Sequence, residues 1–117
     1  MNLDNAVHSH AQWKLRFREA ILNKEHVDAE VIARDDCCEV GRWLHGEGAL
    51  HWGERAEFLE ARAKHKAFHV QAGLIAQLIN SGEMPAAERA LESGSTYARA
   101  SSEVAICLIA LKRIAGP

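Results

Sequence analysis

The run Phe58-Leu59-Glu60-Ala61-Arg62-Ala63-Lys64-His65-Lys66-Ala67-Phe68-His69-Val70-Gln71-Ala72, continuing through Ala76 to Ile79, decides how this chain folds. Phe58, Arg62, His65, His69, Ala72, Ala76 and Ile79 recur at alternating spacings of four and three, the repeat of one helix face. The pattern predicts a long helix from about Glu54 to Asn80, stopped by Ser81-Gly82. His65 and His69 lie one turn apart and project from the same side.

Working outward, the segment from Asp4 to about Leu22 shows the same periodicity in Leu3, Ala6, His10, Trp13, Phe17 and Ala20. His10 sits on that stripe, whereas His8 lies nearly opposite and is expected to face water. Asn23 to Asp36 is polar and loop-like, with one short helical turn at Ala29–Ala33. A short element follows from Cys37 to about Leu44. Gly46-Glu47-Gly48 and Gly53 then bracket an expected connecting loop carrying His51 and Trp52. The last helix is expected to start near Pro85 and end by Gly116-Pro117, unbroken at Ser93-Gly94-Ser95. Its expected inward stripe (Leu91, Gly94, Ala98, Ser101, Ala105, Leu108) is small and suggests close helix approach.

The expected architecture is all-α: an antiparallel four-helix bundle, with a short additional helix carrying a cysteine. With 117 residues, 48% hydrophobic but only 6% aromatic and two prolines, residues 1–117 read as one helical domain. The formal net charge of -2 leaves no basic excess to displace counterions, so no nucleic-acid partner is expected. No apolar stretch approaches the ~20 residues that span a bilayer, and residues 1–5 lack the pattern of a secretory signal. Three cysteines, two adjacent and one distant, form no disulfide framework, and a cytoplasmic location is expected.

Three inward imidazoles and a thiol invite a common explanation. Burying several imidazoles in one apolar region costs about 1–3 kcal/mol for each polar atom left without a partner. One zinc ion satisfies them together, because it takes neutral imidazole and thiolate in a tetrahedron. On spacing alone either Cys37 or Cys38 can supply the sulfur. His8, His26, His45 and His51 are expected at the surface, and Cys107 as a small buried hydrophobe. Trp13 and Trp43 are read as packing anchors. Asp36, Glu39 and Glu57 are the carboxylates near enough in sequence to orient the ligands. A site filled by four protein ligands leaves no open position for hydrolysis, and no phosphate loop or nucleophile–base pair is evident, so no enzyme activity is expected. Two rival readings are a di-iron or haem bundle enzyme, whose inward carboxylates and Glu-x-x-His pairs are lacking, and an adaptor bundle with incidental histidines.

The pieces His10-Ala11-Gln12-Trp13, Cys38-Glu39-Val40-Gly41-Arg42-Trp43 and His65-Lys66-Ala67-Phe68-His69 together resemble the chemoreceptor zinc-binding (CZB) domain family. The resemblance spans roughly Leu3 to Gly73, with Val40 standing where the family usually has Leu or Phe. It implies a zinc site of His10, Cys38, His65 and His69, and leaves Cys37 unassigned. It further implies a regulatory module of bacterial chemoreceptors or diguanylate cyclases that senses zinc and, in some members, oxidants such as hypochlorous acid. A homodimer and a fused or associated output domain belong to the same expectation. The early start of the first helix reads as an N-terminal module of a longer protein or as a free-standing copy, and the N-terminal placement favours the cyclase arrangement over the chemoreceptor one.

Overall fold

A computed structural model describes residues 1–115 of the chain. Among the described residues there are eight helices and no strand. They are α1 (Leu3–Ala11), α2 (Trp13–Asn23), α3 (Ala29–Ala33), α4 (Glu39–His45), α5 (Glu47–Trp52), α6 (Ala56–Asn80), α7 (Met84–Ala90) and α8 (Thr96–Ala115). The expected end of the last helix at Gly116-Pro117 lies outside the described residues.

Side-chain caps set several of the helix starts. Asn2 accepts from the Asn5 N–H at 3.1 Å to open α1, and Asp28 accepts from the Val31 N–H at 3.2 Å to open α3. The α1–α2 pair is one rod with a slight irregularity, since Gln12 keeps right-handed helical angles of -70° and -21°. Lys112 meets Asp4 and Tyr97 meets Phe17, so α8 runs antiparallel to this rod. Lys64 meets Glu103 and Phe68 meets Tyr97, which makes α6 antiparallel to α8 as well. The first rod and α6 therefore point the same way, and residues 24–55 return the chain between them. Their apolar faces meet in a core that includes Phe17, Phe58, Phe68, Ile75, Leu108 and Leu111. Among the described residues, no helix is long and apolar enough to cross a membrane.

Several expectations are corrected here. The expected loop between Gly46 and Gly53 is helix α5. Gly48 is there for packing and not for a turn: a Cβ on it would stand 2.8 Å from the Trp43 ring. The last helix is broken after all, into α7 and α8. Gly94 takes a φ of +83°, left-handed backbone that glycine adopts without penalty, and Ser95 Oγ then accepts from the Ala98 N–H at 3.0 Å to start a new helix. That break resets the register. The buried face of α8 is Tyr97, Ala100, Val104, Leu108 and Leu111, so of the expected small stripe only Leu91 and Leu108 are buried. Trp13 and Arg62 are half-buried at the edge of their stripes, and Cys107 is half-buried where full burial was expected.

Candidate metal centre

His65 and His69 stand on the inward face of α6, flanked by Phe68 and Ala72 in the core. Their Nε2 atoms are 3.2 Å apart. His10 comes from the last turn of α1 and packs its ring edge-on against His65, His69 and Phe68. Cys38 comes from the returning segment, where it caps the N-terminus of α4 and its Sγ accepts from the Gly41 N–H at 3.3 Å. The same sulfur lies 3.3 Å from His65 Nε2 and 3.6 Å from His69 Nε2. One donor atom from each of His10, Cys38, His65 and His69 falls within 4.8 Å of all the others. All four candidate ligands named from the sequence are brought together.

Local structure explains how Cys38 arrives there. A Cβ on Gly41 would sit 1.9 Å from the Asp35 carbonyl oxygen. Only glycine lets α4 turn this tightly against the preceding loop and present its capping residue to α6. On the other side, Gly73 lies one turn beyond His69, and a Cβ on it would be 2.6 Å from Ala33 Cβ. That close approach seats α3 against α6 and places the Ile32 carbonyl 2.8 Å from His69 Nδ1, which donates to it. Asn80 fastens the same returning segment by accepting from the Val27 N–H at 2.8 Å and donating to the Val27 carbonyl at 2.7 Å.

The partners that orient the imidazoles are backbone carbonyls, not the carboxylates expected. His10 Nδ1 donates to the Ala6 carbonyl at 3.0 Å, as His69 does to Ile32. Placing the proton on Nδ1 leaves each Nε2 lone pair free. Asp36 instead pairs with Arg34, Glu57 pairs with Arg55, and Glu39 is exposed. These carbonyls carry no side-chain signature, and only the mid-helix Gly73 hinted at the contact. His8, His26, His45 and His51 are exposed as expected, with His45 Nε2 3.0 Å from Asp35 Oδ2.

The electrostatics suit a cation. Burial lowers the pKa of His10 and of His69, the latter partly offset by Ile32 and Asp35. Burial, aided by the neighbouring His69 and His10, pushes His65 down to about 2. All three rings are therefore neutral near pH 7, the form that donates to a metal. Burial also raises the Cys38 thiol, against the pull of the Gly41 N–H. His10 Nε2 is buried with no hydrogen-bond partner, a penalty that a cation at the centre of the cluster removes.

The residues present fit zinc. Ideal tetrahedral coordination with bonds of about 2.0–2.1 Å to nitrogen and about 2.3 Å to sulfur puts nitrogens about 3.3 Å apart, and sulfur about 3.6 Å from nitrogen. The contacts of 3.2, 3.3 and 3.6 Å among His65, His69 and Cys38 meet that requirement. No carboxylate belongs to the cluster, which disfavours a di-iron centre.

The family model described as the chemoreceptor zinc-binding domain (CZB) matches residues 10–76, a span that contains all four donors. No curated protein and no solved structure matches the chain. A zinc-binding helical domain whose match covers more than half the chain leaves one assignment: this protein belongs to the chemoreceptor zinc-binding domain family.

Proposed function

We propose that this domain is a zinc-responsive regulatory module in which His10, Cys38, His65 and His69 are the four ligands, and that it has no catalytic role of its own. The observation that carries this reading is the convergence of donors from α1, the α4 cap and α6, three stretches far apart in sequence, within 4.8 Å. Bound zinc supplies a redox-inert cross-link among three elements that otherwise meet through packing and the contacts of the Cys38 sulfur with His65 and His69. Occupancy then changes how firmly α1 and α4 are held against α6, and that difference is what an output domain reads.

A second input runs through the sulfur. Cys38 is half-buried and opens a short helix of seven residues, Glu39–His45. Oxidation by hypochlorous acid converts its thiolate to a sulfenic acid and releases chloride, which removes the anionic donor. The outputs proposed are those of the family resemblance, chemotaxis or cyclic-di-GMP signalling from a fused or associated effector in the cytoplasm. A homodimer is part of the proposal. The outward face of α6 supports it, since Leu59, Val70 and Leu74 are about half exposed, with Ala63 and Ala67 between them.

The test is Cys38→Ala, measured for zinc affinity and for response to hypochlorous acid. The proposal expects both to fall. A variant that keeps stoichiometric zinc at unchanged affinity and responds to oxidant as before overturns it. Sedimentation as a monomer across a wide concentration range removes the dimer.

A further inference from the structure

The four donors are not held alike. His10 Nδ1 and His69 Nδ1 each donate to a backbone carbonyl, at 3.0 Å and 2.8 Å, and the Cys38 sulfur accepts from the Gly41 N–H at 3.3 Å. His65 Nδ1 is buried and has no hydrogen-bond partner. Once its Nε2 faces a cation, the ring must carry its proton on that Nδ1, where no carbonyl accepts it. A carbonyl partner fixes the tautomer, aims the ring and raises its basicity as a ligand, effects worth 10–100-fold in metal affinity where they have been removed. His65 has none of the three.

Topology adds a second difference. His10 is the ligand from α1, and Cys38 is the ligand at α4. His65 and His69 both stand on α6, so either one alone suffices to tie that helix to the other two.

We propose that His65 is the weakest-held of the four ligands, and that zinc bound by His10, Cys38 and His69 alone still joins α1, α4 and α6. This rests on the zinc-site reading above. His65 is then the ligand at which exchange begins, and the position it vacates is the one a small nitrogen donor of imidazole type can take. The loss of His10 or Cys38 detaches a helix from the centre, whereas the loss of His65 detaches none.

The experiment compares His10→Ala, His65→Ala and His69→Ala by competition titration with zinc and by the visible spectrum of the cobalt(II) form. Far-ultraviolet circular dichroism of each metal-free variant checks that it is folded. The His65 variant should lose at least tenfold less affinity than either of the others. It should also keep the sulfur-to-cobalt charge-transfer band and change its spectrum on addition of imidazole. An equal or larger loss at His65 overturns the proposal. Wild-type protein gives an independent reading that needs no variant to fold. In zinc-loaded protein, the Nδ1–H protons of His10 and His69, each bonded to a carbonyl, should resonate clearly downfield of that of His65. A His65 proton as far downfield as the other two, or further, overturns it by itself. If wild-type protein takes up neither zinc nor cobalt, the zinc-site reading fails; if it takes up metal but the variants rank otherwise, only the ligand order fails.

Discussion

Gly41→Ala is a one-carbon change whose consequence follows from a single distance. The new Cβ would stand 1.9 Å from the Asp35 carbonyl oxygen, where contacts under 3.0 Å do not persist. The neighbouring atom is backbone, so relief requires the loop or α4 to retreat by about 1.1 Å, and forced overpacking of this kind costs about 1–3 kcal/mol. For a domain of this size that lowers the thermal midpoint by roughly 4–12 °C. The displacement also reaches the centre, because Cys38 is the cap of the same helix and its Sγ hangs on the Gly41 N–H. Metal–ligand distances tolerate only about 0.2 Å, so a shift five times larger should weaken zinc binding by about 10–100-fold. Differential scanning calorimetry with and without zinc, together with competition titration, measures both effects. Gly82→Ala is the control. Gly82 has a φ of +76°, and a Cβ on it would meet no atom within 4 Å, so alanine there costs about 1 kcal/mol through backbone strain and leaves zinc affinity alone. A Gly41 variant that matches wild type in both midpoint and affinity refutes this explanation of how Cys38 is positioned.

Further outcomes follow from the same geometry. The Cys38 thiol, raised by burial, must lose its proton to bind zinc, while the three imidazoles are already neutral. Apparent affinity should therefore rise about tenfold per pH unit from pH 6.5 to 8, with close to one proton released per zinc; calorimetry in buffers of different ionisation enthalpy checks it, and a pH-independent affinity counts against a thiolate ligand. The metal-free domain should be acid-labile. His65 is depressed from 6.5 to about 2 on folding, so the unfolded chain binds more protons between those values and stability is lost as pH falls below about 6.5. Urea midpoints that stay flat from pH 7 to 4 contradict that. Asn80→Ala removes both hydrogen bonds to Val27, and should lower stability by about 1–3 kcal/mol while moving zinc affinity much less than Gly41→Ala does. A zinc titration of the Asn80 variant that matches Gly41→Ala would place the anchor of the returning segment at Asn80.

Much of the fold was legible because its long helices advertise a face. The 58-to-79 periodicity located α6 to within two residues at its start, and the turn at Ala29–Ala33 coincides with α3. His10, His65 and His69 were legible as a group for the same reason: an imidazole on an apolar stripe has to be buried. What escaped was information that side-chain patterns do not carry. Gly46, Gly48 and Gly53 looked like punctuation, yet Gly48 makes room for the Trp43 ring and the segment stays helical. The break at Gly94 depends on a positive φ and a serine cap, and one local break displaced the expected stripe of α8 at every position but Leu108. The carbonyls of Ala6 and Ile32, which orient two imidazoles, have no residue type that marks them. Carboxylates were expected there because carboxylates are visible in a sequence and carbonyls are not.

X-ray absorption at the zinc edge, on protein purified without added chelator, reads the ligand shell of the shared centre itself. One zinc per chain is expected, with three nitrogen neighbours at about 2.0–2.1 Å and one sulfur at about 2.3 Å. A protein that takes up no zinc, or a zinc shell that contains no sulfur, contradicts a centre built from His10, Cys38, His65 and His69.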